Sequence, residues 1–241
     1  MRLLALVLAA LCCAGPAFAQ SVSLDLGGSQ PGATARLVQL AALIGLLSLA
    51  PSLLVMATAF TRIVIVLALL RTAIGAQGVP PNPVLIGLAL FLSFFVMQPV
   101  LEQAWTQGVV PMNEGRLSEL EGLSAMAEPF RKFMAANVRD SDLALFTDLA
   151  RLPTVAPAEA PFRTLMPAFL ITELKRAFEI GFLLFLPFLV IDMVVASLLM
   201  SLGMMMLPPS VVALPFKLIF FVLADGWALL SSSLVQGFAL P

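Results

Sequence analysis

The strongest constraint on the fold of this chain is a set of long apolar segments that contain almost no charge. Hydrophobic residues make up 61% of the 241 residues, and 19 of the 27 charged side chains lie between Glu102 and Glu179. A soluble domain of this length cannot bury so much apolar surface, and such domains usually contain about 25% charged residues. The uneven distribution therefore predicts an all-α membrane protein.

Composition also excludes several kinds of functional site. The net charge is −1 and basic residues form no cluster, so we expect no nucleic-acid partner. The chain has no histidine, and its only cysteines are Cys12 and Cys13. Histidine-based acid–base chemistry and imidazole metal sites are therefore excluded, and we find no nucleotide-binding motif. We predict that the protein is not an enzyme and has no catalytic residue, cofactor or metal.

The N-terminus has the pattern of a cleavable signal peptide. Arg2 precedes a short apolar core, and a small-x-small motif ends at Ala19. The alternative is a first transmembrane helix, but the apolar core is too short to cross about 30 Å of hydrocarbon. We therefore predict a signal peptide over residues 1–19 and a flexible mature N-terminus over residues 20–36, which starts outside the cytoplasm.

Two regions, residues 37–101 and residues 165–241, each predict a hydrophobic helical hairpin, because a proline-rich break divides each of them. Two hairpins would give four membrane crossings. The apolar segment from Leu37 to Ala73 would measure roughly 55 Å as one straight helix, which exceeds the thickness of a bilayer. This segment must tilt, break at Pro51 or extend beyond the membrane.

Between the hairpins, residues 102–164 contain most of the charges. Apolar side chains recur there at helical spacing, which predicts amphipathic helices that pack on each other or on partners. The spacing places Leu120, Leu123, Phe130 and Phe133 on one face. A proline within this region either bends one helix or begins a second one.

Single charged residues interrupt the apolar segments at four positions. Arg62, Asp192, Lys217 and Asp225 are costly in hydrocarbon, so we expect each to face a partner or a water-filled cavity. Lys217 and Asp225 are about 12 Å apart along a helix, too far to bond each other. Their partners should lie on other helices or other subunits, either as structural ion pairs or as part of a conduction pathway.

The two aspartates also raise the alternative of an intramembrane aspartyl protease. That chemistry needs two carboxylates that share a proton at one water molecule. Neither Asp192 nor Asp225 lies in the Gly-x-Gly-Asp pattern of those enzymes. The sequence therefore disfavours proteolysis.

The most unusual string is the methionine loop, Met204 to Met206, which lies between Gly203 and the pair Pro208-Pro209. Methionine is flexible and polarizable, so it adapts to changing surfaces. In a ring of subunits such loops could close a pore against small solutes and yield to a passing chain. The alternative is simple gap-filling at the end of a helix.

Long strings distributed over the mature chain carry a family resemblance. They include Phe60-Thr61-Arg62-Ile63-Val64, Asp142-Leu143-Ala144-Leu145-Phe146, Pro187-Phe188-Leu189-Val190-Ile191-Asp192, Leu214-Pro215-Phe216-Lys217 and Asp225-Gly226-Trp227. These strings resemble the FliP family, the subunits of the flagellar type III protein-export gate, which are related to the SctR-type proteins of injectisomes.

The resemblance implies kinked helical hairpins that assemble into a helical oligomeric pore complex raised above the bilayer plane. It implies several copies, as a pentamer, together with FliQ and FliR and next to FlhB and FlhA. Unfolded flagellar proteins would pass through this complex across the inner membrane at the flagellar basal body. A small-solute transporter or ion channel is the alternative, although we find no inverted repeat of the transporter kind.

The resemblance also assigns roles to individual residues. Met204, Met205 and Met206 match the gasket around the pore of the family. Glu173 and Lys217 match an acidic and a basic position in contacts between subunits.

Overall fold

The computed structural model describes residues 55–239 except 77, 154 and 205, together with positions 38, 41, 44, 45, 48 and 52. The predicted signal peptide and flexible N-terminus lie outside the described residues, as does most of the chain between residues 37 and 54. Regular structure within the described part of the chain is entirely helical. The described residues from 52 onward belong to one compact unit, and these findings confirm the predicted all-α class.

The first hairpin consists of α1, Phe60–Ile74, and α2, Asn82–Ala104. Helix α1 ends at Gly75, whose φ of 80° lies in the left-handed region that favours glycine, and whose N–H bonds to the carbonyl of Arg71. The Arg71 guanidinium donates to Oδ1 of Asn82 at 2.5 Å and thus ties the two ends of the turn together.

Helix α2 continues through a π-helical turn, Trp105–Val109, into the short α3, Val110–Asn113. The π turn packs closely on the helix that follows α3, Glu119–Asn137. A Cβ atom on Gly108 would lie only 2.1 Å from Cγ of Met126 and 2.9 Å from the carbonyl oxygen of Gly122. The absence of a side chain at Gly108 therefore permits this contact.

The polar region forms α4, Glu119–Asn137, and α5, Asp140–Leu149, followed by a short 3-10 turn at Pro157–Glu159. Ser118 begins α4 with a capping box, in which its hydroxyl accepts from the Glu121 N–H and the Glu121 carboxylate accepts from the Ser118 N–H. Pro129 lies inside α4, so one helix continues through it.

The second hairpin begins with the 40-residue α6, Phe162–Ser201, which contains Pro167 and Pro187. It returns as α7, Pro209–Leu223, and α8, Gly226–Gln236, which are bent by 62° at a short break. Within the described part of the chain, two helices are long and apolar enough to cross a membrane, α6 and the continuous helix from α2 to α3, and the bent pair would make a third.

The main core forms where α1 packs against α6 and α2. It includes fully buried Ile63 and Val66 of α1 and Leu165 and Phe169 of α6. The outer faces of α2, α6 and α7 remain uncovered in the single chain. Their exposed large side chains include Phe91, Phe94, Phe95, Phe182, Leu183, Met193, Ile219 and Val222.

Candidate functional site: buried charge pairs and the methionine loop

Among the residues that the structure describes, the most buried charged side chains are those of Arg62 and Glu173, which are 1% and 0% exposed. Nε of Arg62 donates to Oε2 of Glu173 at 2.8 Å, and Nη2 donates to Oε1. This two-bond geometry is the strong arrangement that a planar guanidinium makes with a carboxylate. The pair joins the N-terminal part of α1 to the core-packed half of α6.

Arg62 also binds the segment after α8. Its Nη1 donates to the carbonyl of Gly237 at 2.8 Å, and its guanidinium carbon lies 3.7 Å from the centre of the Phe238 ring, which is a cation–π contact. On the other side, Nη1 of Arg176 lies 4.0 Å from Oε1 of Glu173. Arg62 therefore connects α1, α6 and the residues that follow α8.

Asn137, at the end of α4, holds the same segment. Its Nδ2 donates to the carbonyl of Ala239 at 2.8 Å, and its Oδ1 accepts from the Ala239 N–H at 3.0 Å. Phe238 stacks on Phe133, with 5.9 Å between ring centres. We name residues 237–239 with these contacts the C-terminal clasp. Sequence reasoning missed it, because no spacing pattern links residues about 100 positions apart.

The second ion pair joins buried Lys217 to part-exposed Asp192. Nζ of Lys217 donates to Oδ2 of Asp192 at 2.7 Å and to the carbonyl of Ala73 at 3.1 Å. The Lys217 side chain is 6% exposed and that of Asp192 is 35% exposed. Oδ1 of Asp192 is buried and accepts no bond from any described residue. The partner of Lys217 thus lies on another helix, which is one of the two places where we expected it.

Glu173 and Lys217 therefore both have partners within their own chain. Their predicted roles in contacts between subunits stay predictions. A direct bond between Glu173 of one copy and Lys217 of another would have to replace the bonds to Arg62 and to Asp192. Because Glu173 is fully buried, such an exchange requires α1 and α6 to separate locally.

Asp225 occupies a different environment from the expected apolar helix interior. It lies in the break between α7 and α8, with φ of 48°, and it is exposed in the single chain. Aspartate tolerates this left-handed conformation better than most residues. The neighbouring Gly226 and Trp227 pack against Phe221, whose ring centre lies 5.3 Å from that of Trp227. Asp225 therefore marks a bend.

The methionine loop lies at the tip of the α6–α7 hairpin. Gly203 reverses the chain with φ of 72°, and the N–H of Met204 bonds to the carbonyl of Leu199 at 2.9 Å. Met204 is 42% exposed and Met206 is 99% exposed. Met205 lies outside the described residues. The two described thioethers are thus available to a neighbouring surface, and their role as a gasket stays a prediction.

A third charge cluster joins the polar region to α6. The Asp142 carboxylate accepts from the Thr172 hydroxyl at 2.8 Å and from the Lys175 ammonium. Nη2 of Arg139 contacts the Glu179 carboxylate at 2.6 Å nearby. Burial alone would raise the pKa of Asp142, but the hydrogen bonds from Lys175 and Thr172 outweigh it and hold that pKa below its ordinary value.

These contacts define a class of protein: an all-helical membrane protein whose interior charges pair within the fold and whose outer apolar faces stay open. The chain belongs to the FliP family, which matches residues 43–234. No group of three or more histidine, cysteine, aspartate or glutamate residues that could hold a metal ion occurs in the part of the chain that the structure describes.

Individual relatives agree with this assignment. The flagellar biosynthetic protein FliP of Caulobacter vibrioides is 56% identical over 237 residues, which cover 96% of this chain and 89% of the relative. The FliP of Rhizobium meliloti is 45% identical over 243 residues, with 99% of both chains covered. The FliP of Bacillus subtilis is 48% identical over 211 residues, which cover 87% of this chain and 96% of the relative.

Proposed function

We propose that this protein is a pore-forming subunit of the flagellar type III protein-export gate. In this role several copies, as a pentamer, assemble with FliQ and FliR and adjoin FlhB and FlhA. The assembly conducts unfolded flagellar proteins across the inner membrane and is required to build the flagellum. The observation that carries the proposal is membership of the FliP family over residues 43–234.

The distribution of polar and apolar surface supports assembly. Arg62, Glu173 and Lys217 are satisfied inside the chain, so the interior needs no partner to neutralise it. By contrast, large apolar side chains such as Phe91 and Phe182 are exposed on the outer faces of α2 and α6. Contiguous apolar surface of this kind usually contacts lipid or other subunits.

The composition of the methionine loop favours a role as a seal over a role as a binding site. Thioether side chains are unbranched and conform to surfaces of different shape, and Met204 and Met206 lie at the tip of the hairpin. Met204 and Met206 are exposed and do not belong to the main core. Around a ring of copies, such loops close the passage against ions and still yield to a polypeptide.

A small-solute transporter is less well supported. Transporters bind their substrates at broken helices near the bilayer midplane, with polar groups directed at the substrate. Here the polar groups of Arg62 and Glu173 are already bonded to each other. The pairing of Arg62 with Glu173 also gives no support to catalysis. In this proposal the protein acts as a structural component of the export apparatus.

The test is a deletion strain that is complemented with the full-length chain. The proposal predicts that loss of the protein abolishes motility and removes flagellin from the culture medium, and that the wild-type chain restores both. The control is the variant Met200→Ala, in which an exposed methionine outside the methionine loop is replaced. It should restore motility and flagellin secretion as the wild-type chain does. Normal flagellin secretion in the deletion strain would contradict the proposal.

A further inference from the structure

The α6–α7 hairpin consists of a base within the main core and an outer arm. At the base, Phe188 and Phe221 belong to the main core, with 6.4 Å between their ring centres. Beyond Asp192, the buried residues Val195, Leu199 and Ala213 form a small cluster of their own. We name residues 193–201 and 209–213 the arm. Its separate cluster means that the arm can change position without repacking the main core.

The bonds of Lys217 lie at the junction between the arm and the base. Through Asp192 on α6 and the carbonyl of Ala73 on α1, Lys217 ties both helices of the hairpin to the first hairpin. Oδ1 of Asp192 has no donor among the described residues. The carboxylate can therefore turn and offer either oxygen to Lys217, so the ion pair can persist while the arm moves.

A proline weakens α7 at the junction between the arm and the base. Pro215 lies two residues before Lys217. Because proline has no N–H, the carbonyl of Val211 loses the bond that a helix normally gives it. Missing bonds of this kind are the usual places where helices bend.

The arm also lacks tight packing between its own helices. An open apolar cavity of about 390 Å³ lies between α6 and α7. Its lining residues include Val190, Val194, Leu198, Val212 and Phe216. Protein interiors are normally close-packed and resist deformation. Within the chain, α6 and α7 are therefore less closely packed on each other along this cavity than the residues of the main core are.

We propose that the arm pivots as a unit at the level of the Asp192–Lys217 pair, with α7 bending at Pro215 and α6 flexing beyond Phe188, while the base stays fixed on α1. The pivot displaces the tip of the hairpin, where Met204 and Met206 lie. This consequence for the gate rests on the proposed function, whereas the pivot itself is a property of the chain.

Hydrogen–deuterium exchange with mass spectrometry on the full chain in its assembled complex tests the pivot. The wild-type arm should exchange faster than residues 63–70 of α1, which are the reference. Asp192→Asn should speed exchange in the arm roughly fivefold, because a part-exposed ion pair is lost. Pro215→Ala restores a backbone N–H donor to α7, so it should slow exchange in the arm about tenfold.

Pro167→Ala is the control for a proline replaced inside a helix, since Pro167 lies in the core-packed half of α6; it should leave exchange in the arm unchanged. An arm that exchanges as slowly as the reference in the wild type would overturn the proposal. The proposal would also be overturned if neither Asp192→Asn nor Pro215→Ala changed the exchange rate of the arm. Ion conductance of the same assemblies tests separately whether the pivot affects the gate. If the variants change exchange in the arm but leave conductance unchanged, only the proposed function is contradicted.

Discussion

Arg62 and Glu173 lie 111 positions apart in the sequence, and their side chains form two charge-assisted hydrogen bonds in the interior of the fold. Arg62 adds a third bond to Gly237 and a cation–π contact with Phe238. This pair therefore fixes α1, α6 and the C-terminal clasp to one another. The first prediction follows from its burial.

Replacement of Glu173 by alanine should leave Arg62 buried and unpaired, at a cost of about 3–5 kcal/mol in the free energy of unfolding. The thermal midpoint of the detergent-solubilised protein measures this loss. The exchanged pair, Arg62→Glu with Glu173→Arg, should recover part of it.

The alternative is that Glu173 pairs with Lys217 of another copy. In that case Lys217→Glu should disrupt assembly, and Glu173→Lys should partly rescue it. A double-mutant cycle separates the two cases. Strong energetic coupling of Glu173 to Lys217, with none to Arg62, would contradict the intrachain assignment.

The second prediction concerns pH and Asp142. Its pKa is lower in the folded chain than in the unfolded chain, because bonds from Lys175 and Thr172 outweigh burial. Its contribution to stability is therefore complete above its ordinary pKa of 3.8 and is lost as the pH falls through the lower folded-state value.

Unfolding midpoints measured over acidic pH should show Asp142→Asn less stable than the wild type near neutral pH, with a difference that closes at low pH. Asp148→Asn, at an exposed position of the same helix, is the control and should change little. A difference that is independent of pH would show that the Asp142 carboxylate contributes through packing alone.

The third prediction concerns the methionine loop. Alanine at Met204, Met205 and Met206 together removes the adaptable side chains, so the assembled gate should conduct ions several times better while its mass stays unchanged. Planar-bilayer conductance is the measurement. Met200→Ala, an exposed methionine outside the loop, should not leak. Unchanged conductance in the triple variant would argue that the methionines only fill space.

The fourth prediction concerns the C-terminal clasp. Asn137→Ala removes both bonds to Ala239, and the loss of two part-buried hydrogen bonds should cost about 2 kcal/mol. Limited proteolysis should then release the residues after α8 earlier than in the wild type. The control is Asn113→Ala, at an exposed asparagine. Equal protection in both variants would mean that the bonds of Arg62 suffice.

Much of this architecture follows from sequence patterns, because apolar periodicity and proline-rich breaks act locally. Helices α1, α2, α6 and α7 lie mostly within the apolar segments, whereas the break between α7 and α8 at Asp225 is not indicated by those segments. The charge of Lys217 also predicted a partner on another helix or subunit, since hydrocarbon penalises a lone ion. Its actual partner, Asp192, could not be selected, because that choice depends on how α6 and α7 align.

Other features lay beyond local patterns. Spacing placed Leu120, Leu123 and Phe133 on one face of α4, yet Phe133 is buried whereas Leu120 is 79% exposed. Periodicity identifies residues that share a face, but only the tertiary fold determines what covers it. The same reason explains why the pairing of Arg62 with Glu173 was missed, since it requires α1 to lie against α6.

The central claim is that these hairpins cover their apolar faces by joining other copies and partner subunits around a conduit. Native mass spectrometry of the complex, purified from membranes through a tag on this chain, tests it most directly. We predict a particle that contains several copies of the chain together with FliQ and FliR. A homogeneous monomer, stable in lipid and free of other proteins, would contradict the account.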